Sequence, residues 1–389
     1  MKTVHYFDNN ATTRVAPEVV EAMLPFFSER YGNASSMHEF GGAVHADMEA
    51  ARAKVAAFLH CDPFEVVFTS CGSESDNHAI RGTVEALGEG TTIITSKVEH
   101  PAVLQPCKWL EERGYRVERI GVHEDGTLDM EAYQAALAIP GPKLVTLMWA
   151  NNETGVVFPI HECARLAKAA GAVFHTDATQ SAGKLAEVDM SLSPIDLLSF
   201  SGHKLHAPKG IGVLFVRRGT PVRPFLLGGH QERSRRAGTE NVPYIVGLGR
   251  AVELAREEIE SGEIDRVRAL RDRLQEGLLR IPQTVVNGNL EKRLPNTLNI
   301  SFPYIEGEAI LYHLSDAGIC ASSGSACTSG SLEPSHVLRA MNAPFTSLHG
   351  SIRFSLSRYN TDADVDRVLA VMPGIVKTLR ALSPFGHEG

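Results

Sequence analysis

From about residue 15 to residue 215, short apolar runs rich in β-branched residues alternate with longer stretches whose apolar positions recur three or four apart. That alternation leaves few folds open, because parallel strands need crossovers and helical segments of this length supply them. Strands are expected at Val66–Phe68, Thr91–Thr95, Tyr115–Ile120, Leu144–Trp149, Ala172–Thr176, Leu197–Phe200 and Ile211–Val216. Helices are expected at Pro17–Glu29, Val44–Leu59, Asp76–Leu87, Ala102–Arg113, Met130–Ala138 and Ile160–Ala170. The reading is an α/β unit built on a seven-stranded, mainly parallel sheet.

A long helical pattern follows from Pro243 to about Arg280, interrupted at Ser261-Gly262, and marks the candidate domain boundary. Beyond it the pattern is strand (Asn299–Phe302), helix (Gly307–Asp316), a small-residue loop, helix (Pro334–Met341), strand (Gly350–Leu356) and helix (Ala363–Leu382). A chain of 389 residues is long for one core. The expected division is therefore a large domain at 15–255 and a smaller α+β domain made of 1–14 and 256–389.

The net charge of −8 argues against nucleic acid or an anionic membrane as a partner, and no 18-residue apolar run is present. Six cysteines are scattered without a C-x-x-C pair or zinc-like spacing. With no apolar leader at the N-terminus, they point to free thiols in a reducing cytoplasm.

Cys327 stands apart from the other five. It lies in Ala321 to Ser331, a segment made only of Ala, Ser, Gly, Thr and Cys, which has little to bury and would carry many hydroxyls into any core. A thiol presented on a mobile loop is favoured over a small packed cysteine.

In an open parallel sheet the ligand site lies beyond the carboxyl ends of the strands. Those ends carry Ser70-Cys71-Gly72-Ser73, Glu99-His100, Asn151-Asn152-Glu153, Asp177-Ala178-Thr179-Gln180 and Ser201-Gly202-His203-Lys204. A lysine after a buried strand can simply end it, yet Lys204 together with Asp177 matches a Schiff-base lysine and an acidic partner for a pyridinium nitrogen, the pair that defines a pyridoxal phosphate site. Gly72-Ser73 opens a helix, either as an ordinary cap or as a phosphate cradle. His100 either caps the helix after it or stacks on a ring and moves protons. The turns Asp8-Asn9-Asn10 and Asn33-Ala34-Ser35-Ser36 read as polar turns.

Taken in order, these strings, with Arg236-Ala237-Gly238-Thr239-Glu240-Asn241 and Ser322-Ser323-Gly324-Ser325-Ala326-Cys327-Thr328-Ser329-Gly330, resemble class I cysteine desulfurases over nearly the whole chain. Cys71 before Gly72, His336 and Ser357-Arg358-Tyr359 are similar to the nitrogen-fixation (NifS-like) type, while Ser73 replaces the family's usual threonine. The resemblance implies an aspartate aminotransferase-like fold (pyridoxal phosphate fold type I), a homodimer, and conversion of L-cysteine to L-alanine with a persulfide left on Cys327. It implies Lys204 as the Schiff-base lysine, Asp177 at the pyridine nitrogen, Gln180 and Asn152 near the ring oxygen, and His100 stacked on the ring. Phosphate contacts would come from Gly72, Ser73, Ser201 and His203, with Thr239 reaching in from the other subunit. Arg353 and Asn33 would hold the substrate carboxylate. The implied sulfur acceptor is an iron–sulfur scaffold protein, and no intrinsic metal is expected, Cys327 meeting a cluster only during transfer. Other pyridoxal phosphate enzymes of this fold share Lys204 and Asp177 but have no need of the thiol. A Cys-His hydrolase using Cys327 and His100 would leave Lys204 and Asp177 unexplained, and a cluster-binding scaffold would want clustered cysteines.

Overall fold

Runs such as Val66-Val67-Phe68 and Leu144-Val145 are apolar on both faces, so a sheet made of them needs cover on each side, which the amphipathic stretches between them provide. The computed structural model describes residues 3–192, 194–323 and 334–383. The chain begins with β1 (His5–Tyr6), α1 (Pro17–Met23), α2 (Pro25–Ser28), α3 (Glu39–Leu59) and β2 (Val66–Thr69). It then alternates through α4 (Gly72–Leu87), β3 (Thr92–Ser96), α5 (Pro101–Glu111), β4 (Arg116–Ile120), α6 (Met130–Leu137), β5 (Lys143–Met148), α7 (Ile160–Ala169) and β6 (Val173–Asp177). Strands β7 (Leu197–Ser201) and β8 (Gly212–Val216) follow, then a single turn α8 (Gln231–Ser234) and two longer helices, α9 (Val242–Glu260) and α10 (Glu263–Leu278). The remainder is β9 (Val285–Val286), β10 (Thr297–Ser301), α11 (Gly307–Asp316), β11 (Ile319–Cys320), α12 (His336–Ala340), α13 (Phe345–Leu348), β12 (Ser351–Ser355) and α14 (Asp362–Leu382).

Strands β2 to β8 form one sheet in the order β2-β8-β7-β6-β5-β3-β4. β8 runs antiparallel to both its neighbours, and the other pairs are parallel. All seven expected strands are present within a residue or two. The expected helix at 17–29 is divided at Pro25, which has no N–H for the preceding turn. The break at Ser261-Gly262 is sharp because Gly262 takes a left-handed φ of 78°. α4 starts at Gly72, a turn earlier than its apolar periodicity suggests, and this brings its N-terminus to the sheet edge.

Two larger apolar cores result. One joins the sheet to α3, α9 and, from far along the chain, Val337, Leu338 and Met341 around α12. The other gathers Phe7 with Leu274, Leu298, Ile352, Phe354 and Val368, where β10 lies between antiparallel β12 and β9. Phe7 meets Phe354 edge to face at 5.9 Å. β1 pairs in parallel with β11, so the N-terminus belongs spatially with the C-terminal elements. From there residues 8–16 cross to the end of β7, where Thr13 N–H donates to the His203 carbonyl and Ala16 N–H to that of His206.

Candidate active site

The carboxyl ends of β2, β3, β5, β6 and β7 share one edge, and a cavity of about 300 Å³ opens there. β7 ends at Ser201 in a turn of 3₁₀ helix, Gly202–Lys204. Gly202 is required there, because a Cβ would sit 2.8 Å from Ile211 Cγ2 and 3.1 Å from Ala207 Cβ. The turn sends Lys204 into the cavity, where Nζ donates to the carbonyls of Asn10 and Ala11 at 2.6 Å each.

Asp177, the last residue of β6, lines the same cavity and accepts the Thr179 N–H at 2.9 Å. His100 caps α5 by accepting the Ala102 N–H on Nδ1 at 3.1 Å, so the proton of its neutral ring stands on Nε2. Burial lowers its pKa, and the nearby Lys204 cation pushes the same way against Asp177. Gln180 donates to the Asn10 carbonyl at 3.0 Å. His203, with a pKa pushed down to about 4 by burial and then by Lys204, also faces the cavity.

The N-terminus of α4 forms another wall. The first N–H groups of a helix have no intrahelical acceptor, and those of Gly72 and Ser73 stand at the cavity. Beside them Ser201 Oγ is buried with no hydrogen-bond partner among the described residues. A Cβ on Gly72 would come 3.2 Å from Thr179 Oγ1 and 3.4 Å from Ser201 Cβ, so the glycine keeps this approach open. Unpaired donors at a helix N-terminus, an orphaned serine hydroxyl, a carboxylate, an amide and a lysine around one cavity fit pyridoxal phosphate, which presents a phosphate, a ring nitrogen, a ring oxygen and an aldehyde.

Arg353 reaches the cavity from β12, 4% exposed, donating from Nη1 to the Asn152 carbonyl (3.0 Å) and from Nη2 to Asp8 Oδ1 (2.7 Å). The segment carrying Cys327 lies outside the described residues, but both its flanks are at the site. Ser322 and Arg353 pair backbone to backbone, at 3.2 and 2.6 Å. On the other flank Ser335 donates to the buried Glu153 carboxylate, and His336 donates from Nε2 to the Glu99 carbonyl at 2.9 Å, one residue before His100.

The cavity thus brings together Lys204, Asp177, His100, Gln180, Asn152, Gly72, Ser73, Ser201, His203 and Arg353. Thr239 and Asn33 are exposed and lie outside the lining of their own chain's cavity. Asn10, Asp76 and Thr179 also line it, residues to which the sequence assigns no contact. Asn10 falls in a polar turn by sequence, and its contact with Lys204 is through its backbone carbonyl, for which no side-chain type gives a sign.

A family model described as Aminotransferase class-V matches residues 5–368. The cysteine desulfurases of Gluconacetobacter diazotrophicus and of a Nostoc species are 60% and 59% identical over 383 and 387 residues, covering 98% and 99% of this chain and 95% and 96% of theirs. The cysteine desulfurase NifS of Azotobacter vinelandii is 55% identical over 382 residues, 98% of this chain and 94% of that protein. A solved NifS-like protein superposes with a TM-score of 0.89 at 39% identity, covering 97% of this chain and 100% of that one. A family match over residues 5–368, with relatives this similar along nearly the whole chain, places the chain in the aminotransferase class-V family.

Proposed function

We propose that this chain is a cysteine desulfurase that converts L-cysteine to L-alanine and passes the sulfur, as a persulfide on Cys327, to iron–sulfur cluster assembly, nitrogenase included. The observation that carries the reading is the placing of Lys204 and Asp177 on one cavity with Arg353, which comes from the other core. The enzyme is dependent on pyridoxal phosphate. When bound, that cofactor supplies an electron sink for a carbanion at the amino acid's Cα.

Lys204 would hold the cofactor at rest and is placed to take the substrate's Cα proton and give it back as alanine forms. Asp177 would keep a proton on the ring nitrogen, Gln180 and Asn152 would meet the ring oxygen, and His100 would cover the ring. Gly72, Ser73, Ser201 and His203 would hold the phosphate. Arg353 and Asn33 receive the α-carboxylate, for which a guanidinium offers paired donors. The Cys327 thiolate then attacks the substrate sulfur, so that an S–S bond forms as the Cβ–S bond breaks. The electron pair goes to Cβ, which collects a proton through His100. Cysteine and a thiol become alanine and a persulfide, with no external oxidant needed.

A large domain of 15–255 and a small one of 1–14 with 256–389 are supported by α9 packing in the first core and α10 in the second, although α12 packs back onto the first core. A homodimer is supported by the exposed apolar side chains Leu24, Phe27, Tyr31, Met37 and Leu227, and it would bring Thr239 to the phosphate of the neighbouring site. The sulfur acceptor is an iron–sulfur scaffold protein. A cytoplasmic location is supported by the described cysteines, five unpaired thiols. No helix among the described residues is long and apolar enough to cross a membrane.

The test is alanine release from L-cysteine under anaerobic, reducing conditions, comparing wild type with Cys327→Ala. Alanine from wild type alone supports the assignment. Equal alanine from both would make the enzyme a lyase that does not use this thiol.

A further inference from the structure

Lys184 has no part in the chemistry above, yet it stands directly behind the cavity. Its Nζ donates to Gln180 Oε1 at 3.0 Å, while Gln180 Nε2 donates to the Asn10 carbonyl at 3.0 Å. That same carbonyl receives Lys204 Nζ at 2.6 Å. An ammonium cannot accept and a carbonyl cannot donate, so the two partners leave Gln180 a single amide orientation, with its N–H groups toward the cavity side and its oxygen toward Lys184. We propose that Lys184 is a positioning residue for the cofactor ring, fixing the orientation of Gln180 and holding a second cation beside Lys204.

The residue is only partly exposed, and its ammonium is densely surrounded by protein. Burial, then Lys204, then Arg353 push its pKa down to about 7. The groups facing it are Lys204, His203 and His206 from the turn after β7, Arg353 and Arg358 from around β12, and Glu258 from α9. Glu258 is occupied by Arg358, and both histidines are held neutral by burial, with pKa values near 4. No carboxylate in this group is left to neutralise Lys184. With Lys204 linked to the cofactor, the repulsion on Lys184 would fall and its charge would be favoured. A cation there, and a Gln180 N–H on the cavity side, would stabilise the ring oxygen as an anion and disfavour a proton on the lysine linkage.

The inference rests on the cofactor reading, and its test reads binding and spectrum, not turnover. Holo wild type, Lys184→Met, Lys184→Gln and Lys184→Arg are titrated without substrate, following the visible absorbance. Apoprotein of each is reconstituted with pyridoxal 5′-phosphate to obtain Kd, and thermal unfolding is recorded. Lys184→Met should raise the absorbance midpoint by about half a pH unit or more and weaken cofactor binding by about five- to tenfold. Lys184→Arg should stay close to wild type. Lys184→Gln, which can still donate but carries no charge, should raise the midpoint while keeping most of the affinity. If the Met and Gln variants titrate and bind as wild type does, whatever their melting temperatures, Lys184 is merely structural and the proposal fails. A wild-type protein that binds no pyridoxal phosphate would instead overturn the reading beneath it.

Discussion

At the scale of single residues the site depends on which groups are charged. Replacing Lys204 by Ala should abolish the lysine-linked absorbance of bound pyridoxal phosphate and slow alanine release by about a thousandfold or more, as loss of a positioned base does. Retained absorbance in a Lys204→Ala spectrum would disprove its role. His100 gives a prediction with a sign. Its pKa lies below the usual 6.5, chiefly through burial, so the imidazole stays neutral into mildly acidic solution. The acid limb of kcat/KM that belongs to His100 should therefore fall below pH 6.5, and His100→Gln should remove that limb and cost about 10²- to 10⁴-fold in kcat. A limb centred above 6.5 in the wild-type profile would contradict this. Lys204, Asp177 and His100 were legible in the sequence because each follows a buried strand and has a side chain of unmistakable chemistry. Asn10 and Lys184 were not, since one acts on Lys204 through a main-chain carbonyl and the other behind a neighbour's amide.

At the scale of elements, two buried acids tie distant segments together. Glu153, after β5, accepts from Ser335 just before α12, and burial pushes its pKa up to about 7. A carboxyl that keeps its proton longer when folded contributes stability below its unfolded pKa, near 4.5, and loses that contribution as pH rises through about 7. Glu153→Gln, neutral at every pH and still an acceptor for Ser335, should flatten the fall in urea stability between these two values. An unchanged slope would show that Glu153 is not the titrating group. The second acid, Glu232, sits in the left-handed turn Glu232-Arg233-Ser234 and grips buried Arg52 of α3 through two bonds, at 2.7 and 2.9 Å. Glu232→Ala should destabilise by about 3 kcal/mol in denaturant titration, because buried Arg52 keeps only Glu49 and the Val66 carbonyl and the Phe68 N–H loses its acceptor, while an Arg52→Met, Glu232→Leu double variant should recover most of the loss. This turn was illegible beforehand, since three non-glycine residues of positive φ have no local signature and are held by a partner 180 positions away. The two-residue strands β1, β9 and β11 escaped for a related reason, being too short to show a period of two. The long sheet strands and amphipathic helices declared themselves locally.

For the whole molecule, the question is whether one chain makes a complete site. Ten of the residues expected at the cofactor or substrate line a single cavity, whereas Thr239 stays exposed outside it. Exposed Leu24, Phe27, Tyr31 and Met37 lie along one stretch of chain around α1 to α3, several large apolar side chains left open to solvent. If two copies meet through such surfaces and Thr239 crosses to the partner's phosphate, the defects of two variants must be separable. Lys204→Ala removes the lysine of its own site, and Thr239→Glu sets a carboxylate against the phosphate of the neighbouring one. Each homodimer should be nearly inactive at limiting pyridoxal phosphate. Mixed under conditions that exchange subunits, half of the dimers would be hybrids, each with one site holding both an intact Lys204 and an intact Thr239, so alanine release should recover to roughly a quarter of wild type. Recovery measured against unmixed controls supports a shared site. If mixed dimers form, as shown by a mass tag on one variant, and no activity returns, then Thr239 serves its own chain or none, and each subunit works alone.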